Sequence, residues 1–138
     1  MNLFLVLSAL FNEASPTSGL GMPDTEMEQM MSIARQLTPK KPIRCVQDWV
    51  IVEFSTESEQ DADLMESKGV QSKFLFSLNV IYDQTGTIPE GGYVRTTLLK
   101  KLSNDCIFET RNTLYIMIGE GKHLSLSQQE VINIFSLV

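Results

Sequence analysis

Residues 106–121, CIFETRNTLYIMIGEG, restrict the fold of this chain more than any other stretch. Apolar and β-prone residues stand on both sides of Arg111-Asn112, so the segment reads as two strands around a tight turn. A lone hairpin is only marginally stable in water, so these strands require further sheet partners and supply much of a small core. The segment carries no recognisable catalytic motif.

The partners are readable nearby. Ile43 to Phe54, IRCVQDWVIVEF, reads as a strand or a bulged strand, with Trp49 as a core anchor. Lys73 to Asp83, KFLFSLNVIYD, is longer and denser in apolar residues. Turns follow at Gln84-Thr85-Gly86 and at 88–92, then a strand over 93–102, then a turn at Ser103-Asn104-Asp105. Short strands punctuated by Gly, Asn and Asp predict a small curled sheet or barrel.

Helices are expected around it. The apolar run 3–11 reads as a helical docking segment. After a Ser-, Gly- and Pro-rich loop at 12–24, a helix starts near Thr25, where Thr25 and Glu28 have capping-box spacing and Asp24 offers another cap. Met27, Met30, Met31, Ala34 and Leu37 form its apolar stripe, read as core, and Thr38-Pro39 ends it. Residues 55–69 predict an exposed acidic helix with a Thr56/Glu59 capping box, Gly69 at the C-terminal cap, and Ala62 with Met65 or Leu64 turned inward. Ser127 is a candidate cap for a last helix whose stripe is Val131, Ile134, Phe135 and Val138. The expected fold is α+β: an antiparallel curled sheet of about five strands, an SH3-like small barrel, with N-terminal and C-terminal helices. Residues 1–138 form a single domain: a helical part at 1–42, a β-rich core at 43–125 with the acidic insert at 55–69, and the last helix at 126–138.

Composition narrows the function. The net charge is −6 over 138 residues. This argues against bulk binding to nucleic acid or an anionic membrane, while leaving room for a local basic patch. The apolar run at the N-terminus is far shorter than the about 20 residues that span a bilayer. It also lacks the basic flank and cleavage pattern of a signal peptide, so the expected location is cytoplasmic, a secretory reading being the lesser alternative. Cys45 and Cys106 read as buried thiols in a reducing compartment, with one disulfide between the two strands as the alternative. One His and two scattered Cys offer no metal-ligand spacing, and neither a metal nor a cofactor is expected.

Catalytic readings find little support. Residues 86–91 have the G-x-x-x-x-G spacing of a phosphate loop, but Gly92 and Tyr93 stand where Lys and Ser/Thr belong. His123 is the sole imidazole and reads as a surface residue. Neither Cys45 nor Cys106 sits where a thiol would be activated to partner it. Asp48, Glu53, Asp83 and Glu109 show no spacing that marks a catalytic pair. From Gly91 onward five cations face four carboxylates, a balance of +1. Tyr93, Phe108 and Tyr115 could stack on a single strand of nucleic acid, although strand alternation makes at least half of them core.

Two polar features remain. Arg95 and Arg111 lie in VRTT and TRNT, where Glu109 is a plausible cross-strand partner, and with Asn112 they form the rim of the hairpin. Glu57, Glu59, Asp61 and Asp63 open the acidic insert. The two lysines of residues 39–42, PKKP, read as solvated loop charges.

Taken together, Trp49-Val50-Ile51-Val52, the strand ending in Tyr82-Asp83, the run Gly92-Tyr93-Val94-Arg95-Thr96-Thr97-Leu98, and Thr110-Arg111-Asn112-Thr113-x-Tyr115-x-x-x-Gly119-x-Gly121 resemble an uncharacterised family of small proteobacterial proteins, a domain of unknown function with some prophage-borne members. The resemblance covers roughly residues 20–125, and the chain departs from it in the acidic insert and the last helix. It implies a bacterial, cytoplasmic setting and transfers no catalytic residue.

The expected function is a non-enzymatic module that binds another protein, in an accessory or phage–host role. Its surface would use Arg95, Arg111, Asn112 and Glu109, or the acidic residues Glu57, Glu59, Asp61 and Asp63. The alternatives are a nucleic-acid-binding small barrel and a small enzyme of unknown chemistry.

Overall fold

The computed structural model describes residues 2–135, without the side chain of Phe135. In chain order the elements are α1 (Leu3–Glu13), β1 (Ser15–Pro16), a 3-10 turn (Asp24–Glu26), α2 (Met27–Leu37), β2 (Ile43–Phe54), α3 (Glu59–Lys68), β3 (Lys73–Asp83), β4 (Gly92–Arg95), β5 (Lys101–Ser103), β6 (Ile107–Glu109), β7 (Leu114–Met117), β8 (Lys122–Leu126) and α4 (Gln128–Phe135). The fold is mixed α+β.

Every other strand is organised around β2. One edge pairs antiparallel with β3, from Arg44 opposite Asp83 to Glu53 opposite Lys73. The other edge is shared, because β2 is 12 residues long. Its first half runs parallel to β7, Ile43–Val46 against Leu114–Met117, and its second half runs parallel to β8, Val50–Phe54 against Lys122–Leu126. The strand order is β1-β8-β2-β7-β6-β5, with β3 on β2 and β4 on β3.

This corrects the expected sheet in two ways. Among the described residues the order is open and has eight strands in place of about five, with no closed SH3-like ring in the ladders. The sheet is also not purely antiparallel. A strand as long as β2 has room for two partners on one edge, and the chain reaches that edge from the β6–β7 hairpin running in the direction of β2.

Two irregularities set which side chains share a face. Asp48 takes a positive φ of 47° within β2, and the alternation shifts there. Ile43 and Cys45 before it, and Val50, Val52 and Phe54 after it, pack in the core layers under the helices. Val46, Trp49 and Ile51 instead join the opposite layer with Leu75, Phe108 and Met117. The β2–β3 register itself slips nearby, between Cys45 opposite Tyr82 and Val46 opposite Val80, which leaves Ile81 of β3 as the extra residue of a bulge. On the facing edge, Gly119-Glu120-Gly121 interrupts the β7–β8 path at the same level, and Trp49 fills the gap, its indole Nε1 donating to Ile118 O at 3.2 Å.

The hairpin at 106–121 forms as expected, with Ile107, Phe108 and Glu109 opposite Ile116, Tyr115 and Leu114. Thr110 N–H donates to Thr113 O across the Arg111-Asn112 turn at 2.9 Å. Residues 96–100 link the two ends of the strand path: Thr96 and Leu99 N–H donate to Leu75 and Lys73 O of β3, and Lys100 N–H donates to Glu109 O of β6.

Helix caps follow local chemistry with some substitutions. Asn2 caps α1 by accepting from Leu5 N–H. Ser127 and Glu130 exchange backbone bonds as a capping box on α4. Gly69 takes the left-handed cap of α3, but the N-cap is Ser58 rather than Thr56. No Thr25/Glu28 box forms on α2; the 3-10 turn occupies that place, and Asp24 accepts from Gln47 of β2. Met30, Met31 and Ala34 are buried under α2 while Leu37 is exposed. On α3 only Met65 turns inward; Ala62 and Leu64 face out. In the last helix Val131 and Ile134 are buried, and the Phe135 side chain and Val138 lie outside the described residues.

Candidate functional site

The face that Asp48 turns away from the helices carries a hollow. It is a groove of about 420 Å³ bordered by β2, β3 and β8 on one side and by residues 16–20, Leu99 and Leu102 on the other. Strand register brings its polar groups together. His123 lies beside Ile51 in the β2–β8 pairing, and Glu53 stands opposite Lys73 in the β2–β3 pairing. Leu20, Ile51, Leu99 and Leu102 supply apolar walls, and Ser18 adds a hydroxyl. The loop after β1 is held over the groove by the pairing of Ser15 with His123 and Pro16 with Lys122, and by Thr17 N–H donating to Gly121 O at 3.0 Å.

The groove thus combines an imidazole, a carboxylate, an ammonium group and an apolar floor. This suits the capture of a side chain or short segment with mixed character. It does not assemble a nucleophile. Ser18, Glu53 and His123 line the same groove, yet no hydrogen bond joins any two of them, so the nucleophile–base–orienter relay of acyl transfer is not formed among the described residues. The thiols are elsewhere. Cys45 and Cys106 are both free and fully buried. Burial pushes Cys45 up to about 12 and Cys106 up to about 11. Neither supplies a thiolate to His123.

No three His, Cys, Asp or Glu side chains converge on a metal-sized site among the described residues. No helix among them is long and apolar enough to cross a membrane.

The polar residues singled out in the sequence are dispersed. Arg95 is half-buried in β4 opposite Phe76. Arg111 and Asn112 are exposed in the β6–β7 turn. Glu109 pairs with neither arginine: Lys41 Nζ reaches its Oε2 at 2.6 Å and Thr110 O at 2.8 Å. Lys41 is therefore a clip between the loop after α2 and the hairpin, and not a solvated charge. Arg111 lines a separate hollow of about 300 Å³ with Lys68, Val70 and Lys100, which Arg95 does not enter.

The acidic residues divide as well. Asp61 accepts from Gln128 of α4 at 3.0 Å, and the Glu57 N–H donates to the side-chain carbonyl of the same glutamine. Glu59 and Asp63 are exposed. Glu59 and Asp61 sit in the first turn of α3, where the helix dipole favours negative charge.

Of the aromatic residues that could stack on a nucleic-acid strand, Phe108 and Tyr115 are buried. Tyr93 is exposed and meets Phe4 of α1 in a tilted contact, 5.3 Å between ring centroids.

The groove was invisible at the level of local pattern. Glu53, Lys73 and His123 are widely separated along the chain, and only strand register joins them. The one available signal was the pairing of a lone Trp with Gly119-x-Gly121, which marks where the β2 edge is interrupted beside β8.

Fold and groove together define a small α+β domain in which a long central strand presents a mixed polar and apolar cleft. The chain belongs to the family described as a domain of unknown function, DUF6957, whose model matches residues 20–133. The match spans every groove residue from Leu20 onward. No curated protein and no solved structure matches the chain.

Proposed function

We propose that this protein is a non-enzymatic interaction module that binds another protein, and that the groove over Ile51 receives a segment of that partner. The observation that carries this reading is the groove itself, with apolar walls at Leu20, Leu99 and Leu102 and the opposed charges of Glu53 and Lys73 beside His123. Apolar contacts would supply affinity, and the charged rim would set orientation. The buried thiols and the unjoined Ser18, Glu53 and His123 favour binding over catalysis. The burial of Phe108 and Tyr115 counts against stacking on single-stranded nucleic acid.

The exposed acidic residues Glu57, Glu59 and Asp63, together with Arg95, Arg111 and Asn112, are secondary surfaces in this reading. A bacterial, cytoplasmic and in part prophage-borne setting belongs to the same proposal, and two free buried thiols accord with a reducing compartment.

The test compares proteins captured from a bacterial lysate on the wild-type chain with those captured on Glu53→Lys, His123→Asp and, as a control on α2, Glu28→Lys. The expected result is at least one protein retained by the wild type and Glu28→Lys and lost from both groove variants. Identical capture on all four baits overturns the proposal.

A further inference from the structure

The hollow around Arg111 carries an inference separate from the groove. Its lining brings together Lys68, Lys100 and Arg111 with Val70 and, among the described residues, no carboxylate. The three cations come from three places: the last residue of α3, the bend before β5, and the β6–β7 turn.

Their backbones are tied to one another. Gly69 and Val70 N–H close the end of α3 on Glu66 and Met65 O. Gln71 N–H donates to Leu99 O at 2.8 Å, which joins this end to the bend at Lys100. Lys100 N–H donates to Glu109 O at 2.8 Å, which joins the bend to the hairpin. The hollow is thus held by bonds that do not involve the cationic side chains.

Those side chains have no partner of their own. Among the described residues none of Lys68, Lys100 and Arg111 makes a side-chain hydrogen bond or ion pair. The carboxylate nearest Arg111 in sequence, Glu109, is held by Lys41 at 2.6 Å. Three like charges around one cavity repel one another, in a chain whose net charge is −6. An oxyanion in the hollow would remove that repulsion and satisfy the planar donor fork of Arg111.

We propose that this hollow is an oxyanion-binding site that takes a phosphate or carboxylate group. The helix-end carbonyls of Met65 and Glu66 are occupied by the Gly69 and Val70 N–H groups, which lowers their repulsion of a bound anion. A nucleic-acid strand is a poorer occupant, because no aromatic side chain lines the hollow.

The test is a backbone-amide NMR titration of the full chain with inorganic phosphate and, separately, with a tetraglutamate peptide. Sodium chloride at matched ionic strength is the reference. The expected result is a saturable shift of the amides around 68–71, 99–101 and 110–113 with at least one of the two probes. In Arg111→Gln the apparent affinity falls about 10-fold, and in Lys100→Gln/Arg111→Gln saturation disappears. All three cations are exposed, so an otherwise unchanged amide spectrum verifies that the variants fold. Saturation by phosphate alone assigns a phosphate-bearing ligand, and saturation by the peptide alone assigns a carboxylate-bearing one. No saturation beyond the sodium chloride reference, or saturation that persists in the double variant, overturns the proposal.

Discussion

The indole of Trp49 lies against Gly121 so closely that a Cβ on the glycine would fall 2.2 Å from Trp49 Cδ2. The ring is fully buried and cannot swing away, so position 121 accepts no side chain. Gly21 meets the same locus from the other side: its Cβ would lie 2.1 Å from Gly119 O and 3.0 Å from Trp49 Cζ2. These contacts give a physical reason for glycine at both positions beside the chain's one tryptophan.

Gly121→Ala is expected to lower stability by about 3 kcal/mol through overpacking. Gly69→Ala serves as the contrast: φ is +68° and no atom lies within 4 Å, so its cost is backbone strain alone, about 1 kcal/mol. Urea unfolding followed by Trp49 fluorescence measures both. Equal losses in the two variants would show that the ring contact carries no special penalty.

Asp83 is expected to govern acid stability. Its side chain is 1% exposed and pairs with Arg44 at 3.1 Å. Burial pushes the carboxyl up, but the Ile88 N–H, the Thr85 hydroxyl and N–H and the Arg44 guanidinium outweigh it and hold the group at about 2. A carboxyl with a depressed folded pKa stabilises the native state above its unfolded pKa, and that stabilisation is lost as pH falls through the folded value. The contribution is about 2 kcal/mol at neutral pH, disappearing between about pH 5 and pH 2. Asp83→Asn removes it, and its unfolding free energy is expected to vary less over that range than the wild type's. Parallel curves for the two proteins would contradict the assignment.

The thiols give a prediction at the other end of the scale. Burial raises Cys45 to about 12 and Cys106 to about 11, so a disulfide-exchange reagent at pH 8 is expected to label neither in the native state and both after unfolding. The folded values lie above the unfolded one. Their contribution is therefore complete below about pH 9 and declines as pH rises toward the folded values. Rapid labelling of native protein at pH 8 would refute this.

The Lys41–Glu109 clip is partly exposed, at 18% and 20% of the two side chains, so solvent screening limits its worth. A double-mutant cycle with Lys41→Met and Glu109→Gln is expected to give a coupling of about 1 kcal/mol that shrinks in high salt. A coupling indistinguishable from zero at low salt would show that Lys41 acts only through Thr110 O.

Local elements were legible where one short stretch contains all the needed chemistry. The hairpin around Arg111-Asn112 follows from apolar runs flanking a polar turn. Gly69 ends α3 because a left-handed cap disfavours a Cβ, and Ser127 with Glu130 caps α4 through neighbouring backbone groups. The misreadings have the same origin. Thr56 and Ser58 are both plausible caps, and the choice depends on where the chain leaves β2. Leu64 fits an inward position on a helical wheel, but α3 buries none of its residues completely.

By itself the sequence determined that the chain makes α+β structure, where its hairpin turns, and that both cysteines are buried, because these depend on residue type and short-range periodicity. Only the tertiary structure decided that β2 carries two parallel partners on one edge, that Asp48 turns Ile51 and Glu53 toward His123, and that Lys68, Lys100 and Arg111 meet in one hollow. Those outcomes depend on strand register between segments far apart in the chain. Register is set by the packing of the whole sheet, at Trp49 above all, and local pattern does not contain it.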